Sequence, residues 1–362
     1  MFFSSKDKRP VVSIRRLPSP EKIGVLKPDT PVKGLRKTLE KVMDDIDWKK
    51  IVKPNSTVCV KVNGTHFEYL PGITTNPQFV YEFVRILKKR AGRVVVGESD
   101  LQRVKGEVAL EGCGIKEWAE KADAEVVNFS RLPYDIVDIK GEVLRKMPVP
   151  KIYKECDVFA VLPLFKTHKL TGVTIGLKNL FGTITDDHRL IYHSKIDRVL
   201  ADMNGYLRPK LVITDGIVGL EGDGPIAGLP KRVGLIVGAT NTVANDAVVS
   251  RIMGFNPANI KHIARAAERG QGPIKLSEIN LKGEKISDVK MKFARANQDI
   301  ISNIEKAIVV SKTISKLVYK SPLFAFNKWV SWKIRERSGY KKQYVEAVKA
   351  TGLWDNYEGL FH

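Results

Sequence analysis

An α/β fold, a mostly parallel sheet with helices on both faces in a Rossmann-like three-layer arrangement, is what these 362 residues predict, and three observations predict it. Short β-branched runs are apolar throughout rather than alternating, as strands buried on both faces are. Between them lie segments whose apolar residues recur at helical spacing. The composition, 43% hydrophobic and 28% charged, supplies a sizeable core and excludes global disorder.

Val58 to Val62 is the first strand of the reading and ends in the turn-former Asn63-Gly64. Pro77 then opens a helix through Phe79, Val80, Phe83, Val84 and Leu87, with Thr75 or Asn76 as its cap and Gly92 as its stop. Arg93 to Gly97 reads as a second strand. A helix through Val108, Ala109, Ile115, Trp118 and Ala119 follows, broken around Gly112 and Gly114. Asp157 to Leu162, Leu211 to Thr214 and Leu235 to Val237 are further strands. Helices span Ala247 to Met253 and Ile260 to Ala267.

Charge divides the chain. The net charge is +21, yet residues 1–53 carry 14 basic and 7 acidic residues, and residues 306–349 carry 11 and 2. We therefore expect a basic N-terminal extension (1–53), an α/β core (54–300) and a basic, aromatic, helical C-terminal extension (301–362). In the last, Ile304 to Val318 alternates apolar residues with lysines. Beyond Pro322, Leu323, Phe326, Trp329 and Val330 form a stripe flanked by Lys328, Lys333, Arg335 and Arg337. Such a segment suits docking on its own domain, on a second subunit of a homo-oligomer, or on an anionic membrane surface; nucleic acid is a weaker fit, because no RNP-like signature or zinc finger is present. Three cysteines, none in a C-x-x-C pair, exclude a disulfide scaffold, a thiolate zinc site and a cysteine-ligated iron–sulfur cluster, and fit a reducing cytosol. Met1-Phe2-Phe3 leads directly into Ser-Ser-Lys-Asp-Lys-Arg, so no signal peptide is expected, and no apolar run reaches membrane-spanning length. The expectation is a cytoplasmic protein, peripheral to a membrane at most.

The chemistry concentrates after the strand at 157–162. Residues 163–193 hold three of the six histidines (His168, His188, His193), with Lys166, Lys169 and Lys178 among glycines and threonines. This is the carboxyl end of a parallel strand, where open α/β sheets place ligands. Thr171, Gly172 and Thr174 offer hydroxyl and amide donors, and Lys61, Asn63, Lys166 and Asn179 complete an anion-binding set. His168 and His193 are acid–base or ligand candidates. Lys178 follows the apolar run Val173 to Leu177 and is a candidate nucleophile or tether. Asp215, Glu221 and Asp223, spaced by glycines, admit either a divalent cation or tight turns. His188 reads as solvent-exposed, His262 as structural and Asp246 as a helix cap. The ligand expected is an anionic small molecule; cofactor and substrate are open.

KPN (53–55), PGITTNP (71–77), VVVGESD (94–100), LPLFKTHKLTGVTIGLKNLFG (162–182), TDGIVGLEGDGP (214–225) and NTVANDAV (241–248) together resemble the domain-of-unknown-function family 362. That resemblance implies an α/β protein of no generally established activity. Many relatives append cysteine-rich ferredoxin modules, absent here, and commonly have Asp where this chain has Asn241. The order His168, Thr171-Gly172, Lys178, His193 is also distantly similar to the amino-terminal domain of nickel-pincer lactate racemases. That similarity implies a divalent metal, nickel or magnesium, as a cofactor to consider and Lys178 as the residue to test first. The racemases' double glycine is replaced here by Thr174-Ile175-Gly176.

Overall fold

Alternation along each central strand sends side chains into two different cores, and this makes the fold three-layered. Val58, Val60, Val94, Val96, Val158, Ala160, Leu211 and Ile213 enter one core. Their neighbours Cys59, Val95, Phe159, Val161 and Val212 enter another on the opposite face. A strand apolar at both parities can be buried on both sides.

The computed structural model describes residues 9–18, 34–101, 104–185, 189–296 and 339–352. Its strands are β1 (Val11–Arg16), β2 (Thr57–Lys61), β3 (Arg93–Glu98), β4 (Glu125–Asn128), β5 (Tyr134–Asp138), β6 (Lys146–Pro150), β7 (Val158–Val161), β8 (Leu164–His168), β9 (Gly172–Val173), β10 (Leu211–Asp223), β11 (Ala227–Ala239) and β12 (Asn280–Gly283). The main sheet runs β12-β1-β11-β10-β7-β2-β3-β4, with β8 and β9 attached beside β10. The block β10-β7-β2-β3-β4 is parallel throughout. β5 and β6 form a separate antiparallel pair. The helices Leu35–Asp45, Pro77–Leu87 and Ile115–Lys121 cover one face. Ile196–Leu207, Thr242–Ile252 and Lys261–Glu268 cover the other. The mostly parallel three-layer architecture read from the sequence is the one observed.

Two boundaries differ from the expectation. Residues 11–16 and 35–45 are integral to the core: β1 pairs antiparallel with β11, and its Ser13 and Arg15 both donate to Asp45 of the helix beside it. Their positive charge sits on the solvent side of a structural element rather than on an appendage. Second, the two short strands expected at 211–214 and 235–237 lie toward the open end of one hairpin of two 13-residue strands, β10–β11. The glycine-rich GLEGDGP run continues the strand to Asp223, and the turn lies beyond it. A direct hairpin makes β11 antiparallel, so the sheet is mixed on that side.

Local signals performed as expected in the parallel half. Asn76 caps the helix Pro77–Leu87 by accepting from the amides of Gln78 and Phe79, with Pro77 at its first position. Of the C-terminal region, the helix Tyr340–Ala350 is described. It lies on β11 and buries Tyr344 and Val348 in the same core as the central strands. The stripe at 304–337 lies outside the described residues. Among the described residues no helix is long and apolar enough to cross a membrane.

Candidate functional site

Two lysines, one closing β2 and one within β8, are fully buried, and their surroundings differ. Lys61 closes β2. Its ammonium donates to Glu98 Oε1 at 2.6 Å, to the Val62 carbonyl at 3.0 Å and to Asn179 Oδ1 at 3.3 Å. Glu98, the last residue of β3, also accepts from the amides of Ser99 and Gly64. Both charges are therefore compensated by geometry the sheet provides. Gly182 is what lets the chain cross this pair: a Cβ there would stand 2.8 Å from the Lys61 Cε and Nζ.

Lys166, on β8, reaches two neutral oxygens instead, the Ile73 carbonyl at 2.8 Å and Asn63 Oδ1 at 3.4 Å. Among the described residues the carboxylate that acts on it is Glu98, which Lys61 already neutralises, while Lys178 repels it. Burial, and then Lys178, push its pKa down from 10.5 to about 7. Ile73 belongs to the buried segment Pro71–Asn76, whose Thr75 hydroxyl accepts from the Asn63 amide and donates to the Leu162 carbonyl.

His168 ends β8 at the mouth of the short β8–β9 turn. Its Nδ1 accepts from the amides of Leu170 at 3.0 Å and Thr171 at 3.4 Å, which assigns the proton to Nε2. Burial and the positive field of Lys178, His193, Lys166 and His262 hold its pKa well below the usual 6.5, so the imidazole is neutral and offers an N–H donor. Lys178 lies 4.7 Å from the centre of the Phe181 ring, and His193 packs edge-on to the same ring with centroids 4.9 Å apart. Asp246 fixes the segment bearing Lys178 by accepting from the amides of Gly176 and Leu177. It sits on the helix Thr242–Ile252 but caps this other turn; Asn241 caps its own helix. Burial raises the Asp246 carboxyl from 3.8 to about 7.

The structure thus brings together Lys61, Asn63, Lys166, His168, Lys178, Asn179 and His193. Thr171 and Thr174 are buried beside them, but the Thr171 hydroxyl is spent on the Val173 carbonyl, and Gly172 faces open space. The three carboxylates considered for a cation do not converge. Asp215 accepts from the amides of Asn76 and Ile217, Glu221 pairs with Lys231, and Asp223 with Lys169. Six and eight residues of extended strand separate Asp215 from the other two, roughly 20 Å or more. Among the described residues no three His, Cys, Asp or Glu side chains are placed to hold a metal ion. Asp215, Glu221 and Asp223 therefore do not form one cation site. His188 lies outside the described residues.

Residues that the sequence reading did not assign to the site also belong here. Glu98 was visible as the strand-end acid of VVVGESD, with nothing to say which lysine it met. His262, read as structural, is fully buried with neither ring nitrogen hydrogen-bonded, and burial together with Lys178 lowers its pKa to about 3. Asn179 Nδ2 is likewise buried and unpaired, although its Oδ1 serves Lys61.

Comparison with known proteins places residues 58–251 in a family described as Domain of unknown function (DUF362). The thylakoid-associated protein sll1697 of Synechocystis is 27% identical over 234 residues, 61% of this chain and 70% of that one. Among solved structures, the lactate racemase apoprotein of Thermoanaerobacterium thermosaccharolyticum is 10% identical with a TM-score of 0.41, over 86% of this chain and 93% of that one. A Thermotoga maritima protein is 15% identical with a TM-score of 0.33, over 55% of this chain and 52% of that one.

Proposed function

The chain belongs to the DUF362 family, and we propose that it binds an anionic small molecule, as substrate or cofactor, at the cluster formed by Lys166, His168, Lys178, His193 and His262. One observation carries the reading: Lys166 is fully buried in β8, two residues before the strand's carboxyl end, and among the described residues its hydrogen-bond partners are neutral. A buried cation without a carboxylate is costly, and an incoming anion is the group that relieves it.

The half-buried side chains His168, Lys178 and His193 form the approach, and Lys166 and His262 lie behind them. His168 contributes a neutral N–H donor toward an oxyanion rather than a free lone pair, since its Nδ1 is occupied. Lys178 acts as the electrostatic anchor, or as the covalent one if the ligand is a tethered cofactor. Lys61 and Glu98 keep the strand ends in register and are not ligand groups on this reading. The test uses sulfate, which does not titrate near neutrality. Isothermal titration of the full chain should show saturable binding that Lys178→Ala weakens at least tenfold and that His168→Ala weakens less. A wild-type protein with no saturable sulfate binding refutes the reading.

A second reading concerns location. The Synechocystis relative is named for thylakoid association, and residues 306–349 carry a net charge of +9. We propose that this segment, largely outside the described residues, holds the protein on an anionic membrane surface. Co-sedimentation with anionic vesicles that falls steeply between 50 and 300 mM salt is the expected result, and binding equal to that of neutral vesicles refutes it.

A further inference from the structure

The helix Tyr340–Ala350 lies beyond the residues matched by the family, yet it touches the frame of the proposed site. Its two tyrosines reach different parts of the protein. The Tyr340 hydroxyl lies 2.9 Å from the carbonyls of Ile226 and Gly228, at the far end of the β10–β11 hairpin. The Tyr344 hydroxyl, buried, donates to the Pro71 carbonyl at 2.6 Å.

Pro71 opens the segment that holds Lys166. Next to it, Gly72 adopts a left-handed conformation, φ +78°, with its α-carbon pressed so closely on the Gly219 carbonyl that a Cβ would stand 2.4 Å from that oxygen. One residue further, the Ile73 carbonyl takes both the Lys166 ammonium and the Thr65 hydroxyl. The Thr75 amide donates to the Asn63 carbonyl, and Asn63 is the other partner of Lys166. A buried chain of two residues therefore runs from the Tyr344 hydroxyl to the carbonyl that fixes Lys166. The Tyr340 hydroxyl meets hairpin carbonyls that do not bond Lys166.

We propose that Tyr344 is a positioning residue of the anion site, acting on Lys166 through Pro71–Ile73. The proposal rests on the reading that Lys166 and its neighbours bind an anion. It explains why a helix outside the family's matched region is anchored by a buried hydroxyl to one loop carbonyl, in addition to its apolar contacts with β11.

The comparison of Tyr344→Phe with Tyr340→Phe in the full chain tests it. Each removes one hydroxyl and keeps the ring, so each is expected to fold. Tyr344→Phe should weaken sulfate binding roughly two- to tenfold, the size of one neutral hydrogen bond. It should also move the pH midpoint of that binding and speed amide exchange at Thr75. Tyr340→Phe should change none of the three. Equal effects of the two variants, or an unmoved midpoint in Tyr344→Phe, overturn the proposal while leaving the anion site standing. A wild type that binds no sulfate removes the site itself, and the positioning role with it.

Discussion

Replacing Lys166 by methionine should stabilise this protein in mild acid and destabilise it in base. The unfolded chain keeps the Lys166 proton up to 10.5, whereas burial makes the folded protein release it near 7. Between those values the unfolded state holds more protons, so the lysine's contribution to stability rises with pH and is most unfavourable below about 7. At about 1.4 kcal/mol per pH unit, carrying the buried lysine at pH 6 costs the fold about 5 kcal/mol. Methionine removes that cost but leaves the Ile73 carbonyl without its donor, a loss of about 1–3 kcal/mol. The net expectation is a gain of about 2–4 kcal/mol at pH 6, turning into a loss of about 1–2 kcal/mol at pH 10. Urea unfolding of both proteins at pH 6, 8 and 10 measures this, since titrating groups that do not interact with Lys166 cancel in the difference. A variant that loses the same stability at every pH shows that Lys166 is not the desolvated amine described, and the anion-site argument falls with it.

Other expectations follow from the same geometry. Glu98→Gln leaves the Lys61 ammonium buried without its counter-charge and should lose about 3–5 kcal/mol in urea unfolding. The double variant Lys61→Met with Glu98→Gln should recover much of that; no recovery means the pair is not the cause. Gly72 and Gly172 share φ +78°, but only Gly72 meets a backbone oxygen. Gly172→Ala should therefore cost about 1 kcal/mol of conformational strain and Gly72→Ala well over 2 kcal/mol. Equal costs would show that the close approach to Gly219 is not rigid. The His168 side chain should show nitrogen shifts of a neutral Nε2–H tautomer from pH 8 to pH 5, given that burial and Lys178 lower its pKa. Two protonated ring nitrogens at pH 6 contradict that assignment.

The parallel half of the fold was legible because each element carries its own signal. Val58–Val62 and Val94–Val96 are apolar at both parities, Pro77 follows a capping asparagine, and Gly112 and Gly114 break a helix where the structure breaks it. The hairpin β10–β11 was not legible, since Gly219, Gly222 and Gly224 resemble loop residues. Here they are strand and tip residues packed against the Phe165 carbonyl or the Thr167 carbonyl, or, at Gly222, in a positive-φ position. The basic N-terminal stretch was misread as an appendage because net charge describes a strand's solvent edge and a tail in the same way. At the candidate site, sequence position near the ends of apolar strands singled out Lys61, Lys166 and His168. Partners arriving from other segments leave no periodic trace: Glu98 from β3, Asp246 from the helix after β11, and His262 from the helix after that.

Those partners explain why two buried lysines of similar sequence context have different electrostatic surroundings. Lys61 is followed by Val62 and Asn63, and Lys166 by Thr167 and His168, with an apolar run before each. Local sequence would make them equivalent. What separates them is the neighbour each strand receives in the sheet. β2 lies beside β3, whose last residue is Glu98, so Lys61 is neutralised where it stands. β8 lies beside β10, whose Asp215 is turned to the amides of Asn76 and Ile217 and does not bond Lys166. A fold selected for stability alone would place an apolar residue at 166, because a buried pair or a buried cation gains little over well-packed hydrocarbon. The sheet instead keeps a lysine there and holds it with the Ile73 carbonyl, two residues along the chain from the Pro71 carbonyl that Tyr344 bonds. The stability given up at Lys166 is thus the physical feature on which the proposed anion site rests.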